Sequence, residues 1–382
     1  MKAVIAIDSF KGSLSSREAG EIVKEALLAV YTDATCVISA LADGGEGTVQ
    51  AIVSSVGGEV CHARVTGPLG EELDAEYGVI SDTCTAIIEM SAAAGITLLS
   101  PAQRNPMYTT TYGVGELILH AIKHHGCRKF VIGIGGSATN DGGVGMLQAL
   151  GFSFLDVNGN EIPRGACGLE RLSKIECMGA FPTLAECEFH IACDVTNPLC
   201  GECGCSAVYG PQKGATPEMI AQMDLWLSRY AVLSAEVTGR TMVDVPGTGA
   251  AGGMGFAFLT YLGATLTSGI ELVMRETNLE EKLRDADLVI TGEGRLDGQS
   301  SMGKAPVGVA RLAKQHGKPV IAFAGCLGDG AELCNAHGID AFFPILRTVC
   351  TLDEAMDRQN ACRNLRDCAE QVFRLIRAFE NC

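Results

Sequence analysis

The stretch of residues 287–304, DLVITGEGRLDGQSSMGK, constrains the fold of this chain more than any other segment. Its apolar residues 288–290 predict a buried strand, and a helical pattern follows over residues 307–314. A glycine-rich loop lies between them. A strand that leads through such a loop into a helix is typical of an open α/β sheet, which binds ligands beyond the carboxyl ends of its strands.

Charged side chains accompany the glycines of this loop. We expect Glu293 and Asp297 to hold Mg²⁺, Arg295 to act as a catalytic cation and Lys304 to bind substrate. Gly294 would belong to a phosphate-binding backbone, because the N-terminus of the following helix attracts anions. The alternative is an ordinary turn with solvated charges. Charged residues rarely cluster with this many glycines unless a ligand approaches, so the segment predicts phosphate chemistry.

The same segment partly matches a known phosphate-binding pattern. Residues 298–304, GQSSMGK, fit the opening positions of the P-loop. The next residue is Ala305, where that pattern requires Ser or Thr as a metal ligand. We therefore interpret the segment as a different kind of phosphate-binding loop.

Length and charge limit the classes of protein to which the chain can belong. It has 382 residues, which suggests two domains or three, and its 47% apolar and 19% charged residues exclude global disorder. The formal net charge of −16 argues against binding to nucleic acid or to an anionic membrane. An anionic substrate would meet overall repulsion, so its site must be locally positive.

The apolar runs of the sequence predict neither a signal peptide nor a membrane span. The sequence MKAVIAIDSF reaches a charged residue after only a few apolar ones, too soon for the core of a signal peptide. The longest nearly apolar run, residues 86–99, contains Glu89 and is shorter than a membrane span. Together with 17 scattered cysteines, these observations predict a cytoplasmic protein with reduced thiols.

Four cysteines in the middle of the chain are a candidate zinc site. Cys193, Cys200, Cys203 and Cys205 could offer four thiolates, but their spacing lacks the two close pairs of a typical zinc site. Free thiols are therefore the expected state.

The amino-terminal part of the chain reads as strand, helix, strand, helix. Residues 2–8 and 35–40 predict the strands, residues 15–30 predict the first helix, and a second helix begins near residue 48. This alternation is the pattern of a parallel sheet covered by helices. Residues 59–96 differ, because they predict three short strands of an antiparallel meander.

The alternation of strands and helices returns after residue 286 and continues to the carboxyl terminus. The simplest architecture is a discontinuous Rossmann- or flavodoxin-like α/β domain of residues 1–60 and 284–382. A mixed α/β domain of residues 61–283 would be inserted between its halves. A cleft between two such domains is a common place for a small-molecule site.

Two further predictions concern single elements. Residues 152–156 followed by Asn158-Gly159 predict a β-hairpin. Residues 352–379 predict one long last helix with an apolar face that packs on the core.

Two loops near the amino terminus hold candidate site residues. Ser9 and Lys11 lie between a predicted strand and a predicted helix, where we expect Ser9 to bind substrate and Lys11 to act as a catalytic cation. Asp43 and Glu46 are close enough in sequence to share one Mg²⁺. The alternatives are a solvated lysine and a pair of acids that cap a helix.

Further candidates follow the predicted strands of the middle region. Asn140 and Asp141 suit a substrate hydroxyl or a metal, and helix capping is their alternative. Asp194, at the start of DVTNPLCG, could be a catalytic base or a metal ligand, or simply the first residue of an Asx turn.

The richest glycine segment is residues 246–255, PGTGAAGGMG. The backbone at Gly249, Gly252 and Gly253 could bind phosphate as an anion nest, and close packing of small residues is an equally good interpretation. A separate glycine pattern, GIGGSA at residues 133–138, approaches the dinucleotide fingerprint and keeps a nicotinamide-dependent hydroxy-acid dehydrogenase open as an alternative function.

Taken together and in this order, these segments resemble the glycerate kinase family of the bacterial type. The matching pieces span nearly the whole chain and are DSFKGSLSS, ADGGEGT, TGPLG, IGGSATNDGG, ACDVTNPLCG, YGPQKGAT, PGTGAAGGMG and TGEGRLDGQSSMGKAPVGVA. So many motifs in one order are far more specific than any single loop.

The resemblance implies a two-domain α/β enzyme that uses Mg²⁺ and ATP to phosphorylate D-glycerate. It favours 2-phosphoglycerate as the product, although other members of the broader group yield the 3-phosphate. The implied partners are these two small molecules, and a homo-oligomer stays open. A non-catalytic binding protein is a third hypothesis, but binding alone would not require so many acids and lysines.

Overall fold

The computed structural model of the chain describes residues 1–42, 44–45 and 47–380. The chain forms two compact units. The first unit comprises Met1–Asp43, Ser54–Val56 and Val273–Cys382, and the second unit comprises Gly44–Val53 and Gly57–Leu272. The domain boundaries expected near residues 60 and 284 stay a prediction.

Strands and helices alternate through most of the described chain. In chain order the strands are β1 (Lys2–Ile7), β2 (Thr35–Ile38), β3 (Glu59–Thr66), β4 (Glu72–Ile80), β5 (Thr85–Glu89), β6 (Lys129–Gly133), β7 (Ser153–Leu155), β8 (Lys174–Glu176), β9 (Glu188–Ala192), β10 (Thr265–Thr267), β11 (Leu288–Leu296), β12 (Val320–Leu327) and β13 (Ala341–Pro344).

The helices cover the sheets that these strands form. In chain order they are α1 (Ser16–Val30), α2 (Thr48–Val56), α3 (Ser91–Ala94), α4 (Tyr112–His125), α5 (Val144–Ala149), α6 (Cys205–Tyr209), α7 (Pro217–Thr238), α8 (Ala250–Leu262), α9 (Gly269–Glu276), α10 (Leu279–Arg284), α11 (Ala305–Gln315), α12 (Leu333–Ala336), α13 (Leu352–Met356) and α14 (Arg358–Glu380). None of the described helices is both long enough and apolar enough to cross a membrane.

The first unit is built on a five-stranded sheet with the order β2-β1-β11-β12-β13, and all of its neighbouring strands are parallel. Counted along this unit, the order is 2-1-3-4-5, which is the flavodoxin-like arrangement. Ile5, Leu27, Phe323 and Phe373 belong to one buried core that joins the strands to α1 and α14. The predicted α/β class with a parallel sheet is therefore confirmed.

Helix α1 begins where the sequence predicted. Ser15 is the N-cap, its hydroxyl accepts from the backbone N–H of Glu18, and the Glu18 carboxylate accepts from the N–H of Ser15 in return. This capping box satisfies two backbone groups that the first turn of a helix leaves unpaired. The backbone N–H of Ser15 and the guanidinium of Arg358 lower the pKa of Glu18 to about 2.

Strand β11 is longer than the sequence predicted, so three candidate residues belong to the strand and not to the loop after it. Glu293, Gly294 and Arg295 were expected in a loop, but they continue the strand. The neighbouring β12 extends equally far, because Arg295 pairs with Cys326 in the parallel ladder. A Cβ at Gly325 would collide with the carbonyl of Gly294, so glycine allows the two strands to remain this close.

The second unit is built on a six-stranded mixed sheet with the order β10-β9-β6-β5-β4-β3. Strands β3, β4 and β5 form the predicted antiparallel meander, and β5, β6, β9 and β10 are parallel. Phe130 and Phe189 stack on neighbouring strands β6 and β9, with ring centroids 5.0 Å apart. The mixed α/β character expected for the middle of the chain is confirmed.

Two single-element predictions differ from the structure in extent. The expected hairpin does turn through Asn158-Gly159, and the N–H groups of Asp156 and Ile162 donate to the carbonyls of Asn160 and Phe154, both at 2.9 Å. Its pairing is limited to one bridge from Leu155 to Glu161, and the ladder of β7 is formed with the distant β8. The expected last helix is divided into α13 and α14 at Asp357, whose φ of −55° and ψ of 127° are not helical. The Asp357 carboxylate accepts from the N–H of Asn360 at 3.0 Å and thereby begins a second helix.

Candidate active site

The strand order of the first unit determines where a ligand would bind. In a 2-1-3-4-5 sheet the chain leaves the carboxyl ends of the first and third strands in opposite directions along the sheet. A crevice therefore opens between these two strand ends. Here those strands are β1 and β11. The switch-point cluster, as we name it, consists of Asp8, Ser9, Lys11, Glu293, Arg295, Asp297 and Lys304.

The loop after β1 forms one side of the switch-point cluster. The N–H of Asp8 donates to the carbonyl of Gly292 at 2.9 Å, which continues the pairing of β1 with β11. The N–H of Ser9 donates to Asp8 Oδ1 at 2.7 Å. Asp8 is buried, whereas Lys11 is exposed. Sequence reasoning passed over Asp8, although an acid directly after a strand at the switch point was a usable signal.

Glu293 is the most buried charged side chain on the β11 side, with 8% of its surface exposed. Ser300 Oγ donates a hydrogen bond to Glu293 Oε1. Burial raises the pKa of the Glu293 carboxyl, the charges of Lys304 and Lys11 act in the opposite direction, and Asp297 adds to the increase. Three predicted residues, Lys11, Asp297 and Lys304, therefore lie within electrostatic range of Glu293.

Asp297 follows β11 and is held in a fixed orientation. Its Oδ1 accepts from the N–H groups of Gln299 at 2.9 Å and Ser300 at 3.3 Å. Its Oδ2 lies 3.3 Å from Nε of Arg295, whose side chain is 65% exposed. Glu293 and Asp297 thus offer two carboxylates and Arg295 offers an accessible cation, as the proposed metal and phosphate chemistry requires.

Helix α11 adds a positive helix end to the switch-point cluster. Lys304 is its N-cap residue and is exposed, and the helix continues for 11 residues from Ala305. The first N–H groups of a helix have no intrahelical partner and carry partial positive charge, which favours a phosphate or carboxylate. Lys304 therefore lies where an anion would bind.

Gly294 has a packing role in this cluster. A Cβ at this position would lie 3.4 Å from the backbone N of Lys11 and from Cα of Phe10. The loop after β1 and the end of β11 thus approach each other closely. Binding of phosphate by the backbone of Gly294 stays a prediction.

A second group of predicted residues lies in the second unit. The glycine-loop cluster, as we name it, consists of residues 139–143 after β6, residues 193–199 after β9 and residues 246–253 at the start of α8. A Cβ at Gly252 would collide with the carbonyl of Thr139, and one at Gly249 would collide with the carbonyl of Pro198. A Cβ at Gly253 would lie only 2.8 Å from Cα of Gly142.

The start of α8 has an uncommon backbone conformation that suits this packing. Ala251, Gly252 and Gly253 have φ angles of 53°, 67° and 95° in succession, all in the left-handed region. The N–H of Gly142 donates to the carbonyl of Gly252 at 2.9 Å. Close packing therefore accounts for glycine at positions 249, 252 and 253, and phosphate binding by this backbone stays a prediction.

Asn140 and Asp141 lie side by side in the glycine-loop cluster and differ in their contacts. Asp141 is fully buried and accepts from the N–H and Oγ1 of Thr111, both at 2.9 Å, and from the N–H of Gly143 at 3.1 Å. Burial raises its pKa despite these hydrogen bonds. Its contacts match the alternative of structural capping, since α5 begins at Val144.

Asn140 is also fully buried, and one of its polar atoms stands out. Its Nδ2 donates to Ser206 Oγ at 2.8 Å, but its Oδ1 has no hydrogen-bond partner among the described residues. A buried acceptor of this kind can take a hydrogen bond from a ligand hydroxyl. Asn140 therefore keeps its candidate role in substrate binding.

Asp194 lies just beyond β9 and takes part in a structural contact. Its Oδ1 accepts from the N–H of Gly269 at 2.9 Å, and α9 begins at Gly269. The carboxylate thus caps a helix and connects the ends of β9 and β10. A catalytic role of Asp194 stays a prediction.

Lys213 is a buried cation that sequence reasoning missed. Only 2% of its surface is exposed, and its Nζ donates to the carbonyl of Thr139 at 2.6 Å. Burial lowers its pKa to about 8. The same carbonyl is the one that Gly252 approaches, so Lys213 and Gly252 together hold the backbone that precedes Asn140.

Two candidate metal ligands, Asp43 and Glu46, lie outside the described residues. Their neighbour Gly44 packs on the carboxyl ends of β6 and β9. Its carbonyl lies so close to Gly133 of β6 that a Cβ at Gly133 would collide with it, and a Cβ at Gly44 would collide with Ala192 of β9. This contact accounts for glycine at position 133, which the dinucleotide pattern had included. Helix α5 also begins only at Val144, too far from β6 for the dinucleotide fingerprint.

A cavity of about 220 Å³ lies at the carboxyl ends of β5 and β6 in the second unit, lined in part by Val49, Glu89, Ser91, Gly135 and Gly136. The N–H of Val49 donates to Glu89 Oε1 at 2.8 Å. Glu89 was noted in the sequence only because it interrupts an apolar run. Its place at the end of a parallel strand adds it to the candidate residues.

Two of the four cysteines considered for zinc have thiols that contact backbone carbonyls. Cys193 Sγ lies 3.3 Å from the carbonyl of Val195, and Cys200 Sγ lies 3.7 Å from that of Asp224. Burial raises the pKa of Cys205 to about 12. The described cysteines form no disulfide, and the thiols of this group do not converge on a metal position.

Comparison with known proteins points to one family. The sequence profile of the Glycerate kinase family matches residues 3–377 of this chain. The chain is 50% identical over 371 residues to the Glycerate 2-kinase of Escherichia coli (strain K12), and the match covers 97% of each protein. It is 48% identical over 376 residues to the Glycerate kinase of Haemophilus influenzae, covering 98% of this chain and 99% of that protein.

A solved structure agrees with this comparison. The crystal structure of a Salmonella typhimurium LT2 protein assigned as glycerate kinase 2 has a TM-score of 0.92 and 49% sequence identity with this chain. The match covers 100% of both chains, so it includes both units and every candidate residue described above.

Proposed function

Because this chain belongs to the glycerate kinase family, we propose that it transfers the γ-phosphoryl group of ATP to the C2 hydroxyl of D-glycerate with the help of Mg²⁺. The observation that carries the proposal is the switch-point cluster, where Lys11, Asp297 and Lys304 lie close enough to act electrostatically on the buried carboxyl of Glu293. Arg295 is paired with Asp297 at the same point. Phosphoryl transfer depends mainly on positioning and on charge neutralisation, and this cluster offers the groups for both.

The donor set of the cluster fits a magnesium ion that carries phosphates. Mg²⁺ takes oxygen ligands and is held by one or two carboxylates while it keeps several waters. Glu293 and Asp297 would supply these carboxylates. When bound, the ion neutralises charge on the phosphoryl oxygens.

The cations of the cluster have a separate role. Lys11, Arg295 and Lys304 are exposed, so they can reach a phosphate or the carboxylate of glycerate. Together with the N-terminus of α11 they counter the repulsion expected from a chain with a net charge of −16.

In the proposed reaction the C2 oxygen of glycerate forms a bond to the γ-phosphorus, and the bond from that phosphorus to the ADP oxygen breaks. The hydroxyl proton passes to a base. Asp194 was the candidate from the sequence, and Asp8, buried beyond β1 in the switch-point cluster, is a second one. The Escherichia coli relative is named Glycerate 2-kinase, which supports the C2 position.

A coupled assay of ADP release tests this function. Purified protein with Mg²⁺, ATP and D-glycerate should release ADP, whereas omission of glycerate or chelation of Mg²⁺ should reduce the signal to background. A parallel measurement of NAD(P)H absorbance tests the dehydrogenase alternative. Absence of ADP release in the complete mixture would refute the proposed phosphoryl transfer.

The position of the new phosphate is tested with the product and with substrate analogues. Phosphorus NMR distinguishes the 2-phosphate from the 3-phosphate directly. D-lactate keeps the C2 hydroxyl and lacks the C3 hydroxyl, whereas 3-hydroxypropionate has the reverse pattern. We expect slow turnover of D-lactate and none of 3-hydroxypropionate, and the opposite result would assign the reaction to C3.

A further inference from the structure

One group of side chains in the second unit has metal-ligand chemistry that the kinase reaction does not use. Glu59 and Cys61 belong to β3, and His125 is the last residue of α4. One possible ligand atom from each residue lies within 4.8 Å of the other two. Among the described residues, this is the one group of three or more His, Cys, Asp or Glu side chains that converges in this way.

The fold brings these three residues together. Glu59 and Cys61 are two positions apart on a strand, so their side chains point to the same face of the sheet. Cys61 pairs with Tyr77 on β4, and Tyr77 Oη lies 2.8 Å from Nδ1 of His120 on α4. The ring of Tyr77 also meets that of His125 edge-on, with centroids 6.0 Å apart. These contacts show that α4 covers this face and carries His125 to the strand.

The exposure of the ligands suits an ion that arrives from solvent. His125 Nδ1 lies 4.0 Å from Glu59 Oε1, and the two side chains are 26% and 61% exposed. The positive ion would also lie near the carboxyl end of α4, where the helix dipole is negative. His125 and Cys61 are thus partly held by packing, while Glu59 is free to rotate towards the ion.

From this geometry we propose that Glu59, Cys61 and His125 bind a zinc-class divalent cation, with water as the fourth ligand. One thiolate, one imidazole and one carboxylate form a donor set that Zn²⁺ accepts at about 2.0–2.3 Å in tetrahedral geometry. Mg²⁺ requires oxygen ligands, so the ion of the kinase reaction does not compete for this site. Binding forms a Zn–S bond at Cys61 and releases the thiol proton to solvent.

The position of the site separates it from the cavity beside Glu89. In the ladder of the second sheet, Glu59 is opposite Val79, Val79 is opposite Ala86, and Ala86 is opposite Phe130. This row crosses β5 and β6 near their amino ends. The cavity beside Glu89 lies at their carboxyl ends. The proposed ion would instead connect the edge strand β3 to the end of α4 and stabilise the second unit, since ligands that bind only the native state raise stability.

Metal binding to the full-length, reduced, metal-free protein tests the proposal. Zn²⁺ affinity is measured by competition with a chromophoric chelator, and Co²⁺ is used as a spectroscopic probe for a thiolate-to-cobalt charge-transfer band. We expect one Zn²⁺ site per chain, whose affinity falls at least about tenfold in Cys61→Ser and in His125→Ala. Even the loss of a residue that only hydrogen-bonds to a metal ligand lowers metal affinity about tenfold or more. The cobalt band should disappear in Cys61→Ser.

Matched controls make the outcome decisive in a chain with 17 cysteines. Cys203→Ser removes an exposed thiol from the cysteine group first considered for zinc, and His124→Ala removes the histidine next to His125. Both should bind Zn²⁺ like the wild type, and all variants should show the same circular dichroism. Wild-type affinity in Cys61→Ser and His125→Ala, or a loss confined to Cys203→Ser, would overturn the proposal. Because His125 is partly exposed, its variant remains informative if Cys61→Ser folds poorly.

Discussion

At the scale of single residues, the switch-point cluster combines buried and exposed charges with different consequences. Glu293 is buried against Ser300, so its charge state depends on the cations and acid around it. Lys11, Arg295 and Lys304 are exposed and contribute little to any core. Their effect on turnover can therefore be separated from their effect on stability.

We predict that Lys11→Ala and Arg295→Ala lower kcat on the order of 10²-fold, because each removes a cation from a transferring phosphoryl group or an anionic substrate. The melting temperature should not change. Lys24→Ala is the control, since Lys24 is a surface cation of the same unit that pairs with Glu21. Steady-state kinetics like those of the control would assign the tested residue to a solvated surface.

A second prediction concerns the metal. Glu293→Gln and Asp297→Asn should raise the Mg²⁺ concentration needed for half-maximal activity, because each removes one of the carboxylates proposed to hold the ion. Glu18→Gln serves as the control, since Glu18 is an acid that caps a helix. A Mg²⁺ titration of the three variants measures this.

The same titration includes Asp43→Asn and Glu46→Gln, which were candidates from the sequence. If the midpoints of all four acid variants equal that of Glu18→Gln, the metal is held elsewhere. Asp8, Glu89 and Asp194 would then be the acids to examine next.

At the scale of single elements, glycine decides how closely strands and loops approach. Gly325 allows β12 to run beside the end of β11, and Gly252 allows the start of α8 to lie on the Thr139 carbonyl. In both places a side chain would meet backbone, which cannot move aside as a flexible side chain can. The shapes of the two candidate clusters therefore depend on close backbone contacts at glycines, which contribute no functional side chain.

We predict that Gly252→Ala destabilises the protein several times more than Gly57→Ala. Both glycines have a left-handed φ, of 67° and 81°, so the conformational cost of alanine is similar and about 1 kcal/mol. At Gly252 the new Cβ would also collide with Thr139, whereas no described atom lies within 4 Å of the Cβ position at Gly57. Thermal unfolding of the two variants measures the difference, and equal melting temperatures would contradict the packing account.

At the scale of the whole molecule, stability should depend on alkaline pH through Lys213. Burial lowers its pKa from 10.5 to about 8 in the folded protein. Between these two values the unfolded chain holds a proton that the folded chain has lost, so the stability contributed by this group rises with pH in that window. Below pH 8 both states are protonated, and the contribution is constant.

The comparison of the wild type with Lys213→Met isolates this effect. The remaining titratable groups are present in both proteins, so their contributions cancel in the comparison. We expect the free energy of unfolding of the wild type to rise relative to that of Lys213→Met as pH increases from 8 to 10.5. Parallel stability curves would show that Lys213 keeps its ordinary pKa, and urea unfolding at a series of pH values provides the measurement.

Local sequence patterns by themselves determined much of this protein. The alternation of apolar and helical segments predicted the parallel sheet of the first unit and the meander of the second, because side-chain period and capping are properties of neighbouring residues. Ser15 and Glu18 marked the start of α1 for the same reason. Charges grouped beside glycines indicated the switch-point residues other than Asp8, and strand order then gathered them at one crevice.

Contacts between distant segments were decided only by the tertiary structure. The length of β11 depends on pairing with β12, and β7 forms its ladder with the distant β8. The burial of Lys213 against Thr139 and the approach of His125 to Glu59 depend on which elements pack together. No local pattern specifies such neighbours, because they follow from burying apolar surface over the whole chain.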